Sequence, residues 1–192
     1  LVDKHKGNRL NISIIGQESN PDTWRLAKQN LAIRGIGHNI GEKATSTFLE
    51  DQHPNSKVDF IIANPPFNLK NWRDENQLIE DYRWDGYSVP PVSNANYAWI
   101  LHMISKLNVQ NGIAAFLLGN GALKADNEDE YSIKKKLIEN DKIEAIIVLP
   151  RQMFYSTDSS VTLWIVNNNK NKSDSNKKRL ADRTKKILFM DL

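Results

Sequence analysis

The sequence predicts an α/β fold in which a mainly parallel sheet carries helices on both of its faces. Short apolar runs alternate along the chain with segments of helical periodicity, which is typical of this class. The runs are apolar throughout, as expected of parallel strands that are covered on both sides. The chain has 192 residues, 40% of them hydrophobic, and this is enough for one domain with a sizeable core.

The first predicted elements are a strand over residues 11–15 (NISII) and a helix over residues 21–32 (PDTWRLAKQNLA). Asn20 suits the N-cap of this helix, because its side chain can accept a hydrogen bond from a free backbone N–H. Pro21 suits the first helical position, where its fixed φ is favourable and no N–H is needed. The apolar residues of the segment fit a one-sided helix.

The remaining elements continue the alternation. A helix is predicted over residues 97–107 (YAWILHMISKL), and Asn111-Gly112 is its stop signal. The others are strands over residues 58–63, 113–118, 143–149, 161–166 and 187–190, and a helix over residues 132–140.

The second strand ends abruptly within DFIIANPPFN, residues 59–68. Pro65 and Pro66 end it, because neither has an N–H for the ladder and both have a fixed φ. Ligands of open parallel sheets gather outside the carboxyl ends of the strands, so Asn64 and Phe67 lie where chemistry is usually done. The alternative is a stiff turn, since an Asn-Pro pair commonly starts one.

A second candidate residue follows the first strand, in Gly16-Gln17-Glu18. A carboxylate at the carboxyl end of a strand can accept hydrogen bonds from both hydroxyls of a ribose. Alternatively, Glu18 gains only from the positive end of the helix that follows it. The first interpretation predicts a nucleoside site, and the second predicts a local structural role.

Composition argues against several kinds of site. The chain has no cysteine, which rules out disulfides and thiolate metal sites, and its four histidines show no metal-ligand spacing. No metal site is therefore predicted. No run approaches the roughly 18 apolar residues of a membrane-spanning helix, and no membrane association is predicted. No GxGxxG motif follows a strand, which argues against a nicotinamide oxidoreductase.

Basic residues are concentrated in one stretch. Residues 170–186 contain eight Lys or Arg against two Asp, and they overlap the low-complexity run NNNKNKSDSNKKR. Residues 167–186 are therefore predicted to form a flexible basic loop. Its cations form either a solvated surface or a set of contacts to nucleic acid phosphates.

Four stretches, in the same order along nearly the whole chain, resemble the modification subunit of type I restriction-modification systems. That family consists of adenine-N6 DNA methyltransferases that use S-adenosylmethionine, so the resemblance implies a Rossmann-like methyltransferase fold. NPPF by itself also occurs in methyltransferases that act on cytosine N4 or on glutamine side chains, whereas NANYAW is more specific. The stretches are GQESNPDTWRLAKQNLAIRGI (16–36), DFIIANPPFN (59–68), RWDGYSVPPVSNANYAW (83–99) and AIIVLPRQMFYST (145–157).

The resemblance implies roles for individual residues. Asn64, Pro65, Pro66 and Phe67 would form the catalytic motif, in which the Asn64 side-chain oxygen and the Pro65 carbonyl accept the two N6 hydrogens of adenine. Phe67 would stack on an adenine that has been rotated out of the duplex. Glu18 and Asn64 would bind the cofactor.

The resemblance also assigns surroundings to the target base. Phe154 and Tyr155 lie in the segment that would line the other side of its pocket, and the alternative for both is a place in the core after a strand. Trp84, Pro90 and Pro91 would shape a loop over the site. The implied partners are double-stranded DNA, a DNA-specificity subunit and a restriction subunit of the same system, all in the cytoplasm.

The family's glycine-rich first motif, of the DPACGSGG kind, has no counterpart in this sequence. It is expected upstream, so residues 1–192 are predicted to be a partial catalytic domain that lacks its first strand and glycine-rich loop and is inactive alone. The alternative is a non-catalytic module, left by truncation, that binds DNA or assists assembly. A smaller departure is ATSTF at residues 44–48, where the family usually has an acidic residue.

Overall fold

The computed structural model of the chain describes residues 7–151, 160–170 and 181–192. The chain divides into two compact units, Leu1–Ser56 and Lys57–Leu192. Within the described residues the strands form two sheets, one of two strands and one of five. The predicted α/β class is confirmed.

The first unit contains β1 (Ser13–Ile15), α1 (Pro21–Ile33) and β2 (Gly37–Asn39), and β1 pairs with β2 in parallel. The predicted N-cap of α1 is confirmed: Asn20 accepts hydrogen bonds from the backbone N–H groups of Asp22 and Thr23, at 2.9 and 3.1 Å. The helix ends where Gly35 adopts a φ of 62°, a left-handed conformation that glycine tolerates without strain.

Two predictions for this unit are wrong in detail. The first strand begins at Ser13 and not at residue 11, because Arg9–Asn11 form a turn of 3-10 helix. The strand β2 was not predicted, since its sequence Gly-His-Asn contains no apolar residue and gives no strand signal. Its pairing with β1 is therefore a tertiary effect.

The second unit follows the predicted order of elements, with boundaries shifted by a few residues. In chain order its elements are β3 (Phe60–Ala63), α2 (Asn96–Lys106), β4 (Ile113–Gly119), α3 (Glu128–Glu139), β5 (Ile143–Val148), β6 (Val161–Asn167) and β7 (Leu188–Asp191), with 3-10 turns at Tyr82–Trp84 and Asn120–Leu123.

The five-stranded sheet has the order β3-β4-β6-β5-β7. The pairs β3/β4 and β5/β7 are parallel, whereas β6 lies antiparallel to both of its neighbours. The prediction of a mainly parallel sheet is thus confirmed, with one reversed strand inserted at its centre. Because β3, β4 and β5 run in the same direction, their carboxyl ends lie along the same edge.

The core of the second unit lies between α2, α3 and the central strands. Its largest fully buried side chains come from all of these elements. The core includes Tyr97, Ile100, Leu101, Phe116, Leu118, Ile133, Leu137, Ile143, Val161, Trp164 and Val166.

None of the helices in the described ranges is long and apolar enough to cross a membrane.

The two described ends of the basic stretch are held by the fold. Lys170 is buried, and its ammonium group pairs with the carboxylate of Asp141 and donates to the carbonyl of Ile143 at 2.9 Å. Arg183 pairs with Glu144 and donates its backbone N–H to the carbonyl of Lys170 at 2.9 Å. Lys170 is therefore engaged inside the protein, and Arg183 is engaged in a half-buried ion pair. Residues 171–180 lie outside the described ranges, and the flexible loop remains a prediction.

Candidate active site

The Asn-Pro-Pro-Phe motif begins directly after β3, at the carboxyl edge of the sheet. Ala63 pairs with Phe116 of the parallel strand β4, so the motif leaves the sheet beside the last residues of that strand. Asn64 is exposed, and its side chain makes no hydrogen bond with any described part of the chain. The described residues therefore leave the hydrogen-bonding groups of the Asn64 carboxamide unoccupied.

The motif crosses the end of β4 at a glycine. Pro65 is buried, Pro66 is exposed and Phe67 is half-buried. A Cβ atom built on Gly119, the last residue of β4, would lie 3.8 Å from the Cβ of Phe67 and 3.4 Å from Nδ2 of Asn68. A Cβ at position 119 would therefore be in van der Waals contact with the motif, which lies directly against the end of β4.

The motif itself contains no ionisable group. Residues 64–69 read NPPFNL, so the groups offered to a ligand are amides, carbonyls and an aromatic ring. In the described ranges, no group of three His, Asp or Glu side chains is arranged to hold a metal ion. This arrangement can orient a polar ligand by hydrogen bonds and stacking, and it offers no side-chain general base within the motif.

Asn68 is held by Asn96, the first residue of α2. The side chain of Asn96 accepts a hydrogen bond from the backbone N–H of Asn68 at 3.1 Å and donates one to Oδ1 of Asn68 at 2.9 Å. Asn94 in turn holds the backbone of Asn96, since its Oδ1 accepts a hydrogen bond from the Asn96 N–H at 2.9 Å. The sequence prediction did not identify the pair, although an Asn after a tight turn is a known signal for a left-handed residue.

A long loop leaves and returns beside the motif. Its two ends are joined by backbone hydrogen bonds, from Ala95 to the carbonyl of Leu69 at 2.9 Å and from Asn71 to the carbonyl of Val92 at 3.0 Å. Residues 69–94 thus form a loop whose two ends meet next to Asn68.

The interior of this loop is packed around two tryptophans. Trp72 and Trp84 meet edge to face, with ring centroids 6.0 Å apart, and Trp72 donates to the carbonyl of Pro91 at 2.9 Å. Arg73 is buried in the loop and donates to the carbonyl of Pro90 at 3.0 Å; burial lowers the pKa of its guanidinium. Of the residues that the sequence predicted to shape this loop, Trp84 is buried inside it, and Pro90 and Pro91 supply carbonyl acceptors; a position of the loop over the site remains a prediction.

The connection from β5 to β6 starts and returns at the same edge of the sheet. Val161 pairs with Gly119 and Thr162 pairs with Val148, so β6 begins where β4 and β5 end. Ser160 also accepts a hydrogen bond from the backbone N–H of Asn120 at 3.3 Å. The predicted pocket residues Phe154 and Tyr155 lie in this connection but outside the described ranges.

Glu18 belongs to the first unit, where it follows β1 by three residues. Its Oε1 accepts hydrogen bonds from the backbone N–H of Asn20 at 2.8 Å and from the hydroxyl of Ser19 at 3.4 Å. Its Oε2 accepts none from the described residues. The carboxylate is thus oriented by the loop before α1 and still presents one oxygen to a ligand.

The comparisons with known proteins agree on one family. A family model named N-6 DNA Methylase matches residues 1–192. The methylase subunit of the type I restriction enzyme HindI from Haemophilus influenzae is 44% identical over 170 residues, which are 88% of this chain and 38% of that protein. The chain therefore spans less than two fifths of the length of this relative.

Solved structures agree on the fold. The type I restriction-modification methyltransferase subunit from Streptococcus thermophilus matches with a TM-score of 0.73 at 22% identity, over 99% of this chain and 44% of that one. A Listeria monocytogenes protein assigned to the class I S-adenosylmethionine-dependent methyltransferases matches with a TM-score of 0.68 at 17% identity, over 100% of this chain and 52% of that one. Together, the strand-end Asn-Pro-Pro-Phe motif, the sheet and the family match establish that this chain belongs to the N-6 DNA methylase family.

Proposed function

We propose that this chain carries the target-amine site of a type I restriction-modification methylase subunit, which transfers a methyl group from S-adenosylmethionine to N6 of adenine in DNA. The observation that carries the proposal is Asn64, whose exposed carboxamide follows β3 directly and is not engaged by the described residues. A hydrogen-bonding amide at that edge of a sheet is suited to hold a planar base by its amino group.

The chain contributes hydrogen-bond acceptors rather than a strong base. The exocyclic nitrogen of adenine is a poor nucleophile, because its lone pair is delocalised into the ring. Asn64 Oδ1 and the carbonyl of Pro65 each accept one N6 hydrogen and so favour a nitrogen whose lone pair points out of the ring plane. S-adenosylmethionine, when bound, supplies an electrophilic methyl group on a sulfonium. Asn64 and Pro65 would hold N6 towards that methyl group, and the surplus N6 proton would pass to solvent.

Two residues are proposed to hold the cofactor, and their surroundings fit that role. Glu18 presents a half-buried carboxylate with Oε2 open to the ribose hydroxyls. Asn64 is proposed to serve both the cofactor and the amine, since its side chain makes no bond with described residues. The glycine-rich motif that would carry the rest of the cofactor is not among the 192 residues.

The adenine is proposed to reach the motif by rotating out of the duplex, because N6 of a stacked, paired base is inaccessible to an enzyme. Phe67, which is half-buried beside Gly119, is proposed to stack on the adenine. Phe154 and Tyr155 are proposed for the opposite side. The support for this is that the connection containing them starts and returns at the ends of β4 and β5.

Double-stranded DNA, a separate DNA-specificity subunit and a restriction subunit are the proposed partners. The support is that relatives of this chain are methylase subunits of type I restriction enzymes. The proposed location is the cytoplasm, in keeping with a function on DNA.

The test is Asn64→Ala in the natural protein that carries this sequence, assembled with the proposed specificity subunit. Losing one preorganised acceptor is expected to lower the single-turnover methylation rate about 100-fold to 1000-fold, while cofactor affinity largely remains. A variant that keeps more than about a tenth of the wild-type rate would remove Asn64 from the mechanism. Wild-type protein that binds DNA but methylates no adenine would favour the non-catalytic module.

We also propose that the 192 residues alone bind S-adenosylmethionine poorly and do not catalyse. Glu18 can hold a ribose, but no glycine-rich loop is present to approach the methionine end. Calorimetric titration of the 192-residue chain beside the full-length polypeptide tests this. Micromolar binding by the shorter chain would show that one of its own segments replaces that loop.

A further inference from the structure

We infer that Asn96 is a positioning residue for methyl transfer: its buried carboxamide holds Asn68 and thereby sets the orientation of Asn64 to Phe67. The inference rests on the proposed function of the motif, and it concerns a residue that does not itself touch the base.

Asn96 engages two different groups of Asn68 at once. Its Oδ1 accepts from the Asn68 backbone N–H at 3.1 Å, and its Nδ2 donates to Asn68 Oδ1 at 2.9 Å. Asn96 is 1% exposed whereas Asn68 is exposed, so the two bonds are partly buried, and they satisfy both polar atoms of the Asn96 carboxamide inside the protein. Both the oxygen and the nitrogen of the Asn96 carboxamide make a bond. An apolar side chain of the same size could make neither.

Asn68 is the point at which the chain turns after the motif. Its φ is 52°, a left-handed conformation that asparagine adopts more easily than most residues. The two bonds from Asn96 therefore stabilise a conformation that is otherwise unfavourable. They also determine the direction in which the residues just before Asn68 run.

The motif is consequently anchored at both of its ends. Upstream, Ala63 is held in the ladder opposite Phe116 of β4. Downstream, Asn68 is held from α2, whose first backbone N–H is itself bonded to Asn94 Oδ1 at 2.9 Å. Two prolines between these anchors leave few rotatable backbone angles. The positions of the Asn64 and Phe67 side chains are therefore set by the distance and direction between the two anchors.

The experiment compares three variants in the full-length natural polypeptide. Asn96→Ala removes both bonds. Asn96→Asp keeps an acceptor for the Asn68 N–H, and the Asn68 carboxamide can rotate to donate to it. The matched control is Asn127→Ala, which removes the helix N-cap of α3, where Asn127 Oδ1 accepts from the Glu130 N–H at 2.9 Å.

Two quantities are measured. Asn96→Ala is expected to lower the single-turnover methylation rate about 10-fold to 100-fold, since a misplaced reacting group carries a cost of that order. Cofactor affinity is expected to change less than about twofold. Asn96→Asp restores one hydrogen bond, so its methylation rate is expected to be at least about fivefold higher than that of Asn96→Ala. The second quantity is amide hydrogen exchange at Asn68, which is expected to accelerate about tenfold in Asn96→Ala and to stay unchanged in the control.

The outcomes separate the inference from the proposed function. If Asn96→Ala loses no more rate than Asn127→Ala, or loses cofactor affinity in proportion, Asn96 has only a structural role. Unchanged exchange at Asn68 would contradict the inference without any reference to catalysis. A wild-type protein that methylates no adenine while Asn68 exchange still responds to Asn96→Ala would overturn the proposed function and the positioning role together, and leave only the contact.

Discussion

The phenol of Tyr97 donates a hydrogen bond of 2.8 Å to the backbone carbonyl of Ala122, and both residues are almost completely buried. Tyr97 lies in the first turn of α2 and Ala122 in the 3-10 turn after β4. The bond thus joins the helix that carries Asn96 to the strand end that lies beneath Phe67. Burial raises the pKa of the Tyr97 phenol, and the negative charges of Glu130 and Asp126 raise it further.

Tyr97→Phe is expected to lower the free energy of unfolding by about 1–3 kcal/mol, because it leaves the buried carbonyl of Ala122 without its donor. Chemical denaturation followed by tryptophan fluorescence measures the change. Tyr131→Phe is the matched control, since Tyr131 on α3 is 60% exposed. Equal effects of the two substitutions would show that the buried bond contributes nothing.

The raised pKa of Tyr97 predicts a loss of stability at alkaline pH. The folded protein keeps this phenol protonated, whereas the unfolded chain ionises it near the ordinary tyrosine pKa of about 10. The resulting contribution to stability is present below pH 10 and declines as the pH rises above it. The wild-type protein should therefore lose stability more steeply between pH 9 and 11 than Tyr97→Phe does. Parallel curves for the two proteins would contradict the assignment.

Glu130 predicts a pH effect at the acidic end. Burial raises the pKa of its carboxyl, and this outweighs the opposing effect of the hydrogen bond that its Oε2 accepts from the Asp126 N–H at 2.7 Å. A raised folded pKa contributes stability at low pH that is lost as the carboxyl ionises. Glu130→Gln keeps the acceptor and removes the charge, so its stability relative to wild type should rise from pH 4 to pH 7.

The control for this prediction is Glu128→Gln, in the same first helical turn but exposed. It removes a charge that favours the helix N-terminus without relieving any burial, so no gain in stability is expected. If both variants gained the same stability, the cause would be the overall charge of the protein and not the burial of Glu130.

The basic stretch predicts salt-sensitive affinity for DNA. If Lys177 and Lys178 contact phosphates, replacing both with Gln should reduce the slope of log affinity against log salt by about 2 in the full-length polypeptide. Changing Lys135 and Lys136 on α3 to Gln serves as the control, with an unchanged slope expected. An unchanged slope in the Lys177 and Lys178 variant would leave only a solvated segment.

Much of the fold was predictable because its signals are local. Asn20 and Pro21 mark the start of α1 through chemistry that involves only their nearest neighbours. Pro65 and Pro66 end β3 for the same kind of reason, whatever lies beside them. Errors concentrate where local signals are weak, as in β2, whose three residues are a strand only because β1 lies next to them.

The sequence by itself determined the order of the helices and of every strand except β2, the position of Asn64 at a strand end and the methylase family. Only the tertiary structure decided that β6 lies reversed between β4 and β5, that Lys170 is buried against Asp141, and that Asn68 pairs with Asn96. Each of these depends on partners that are far apart in the chain, 28 residues in the last case. Such pairings form because buried polar groups must find donors and acceptors once the elements pack, and no local propensity specifies which ones they meet.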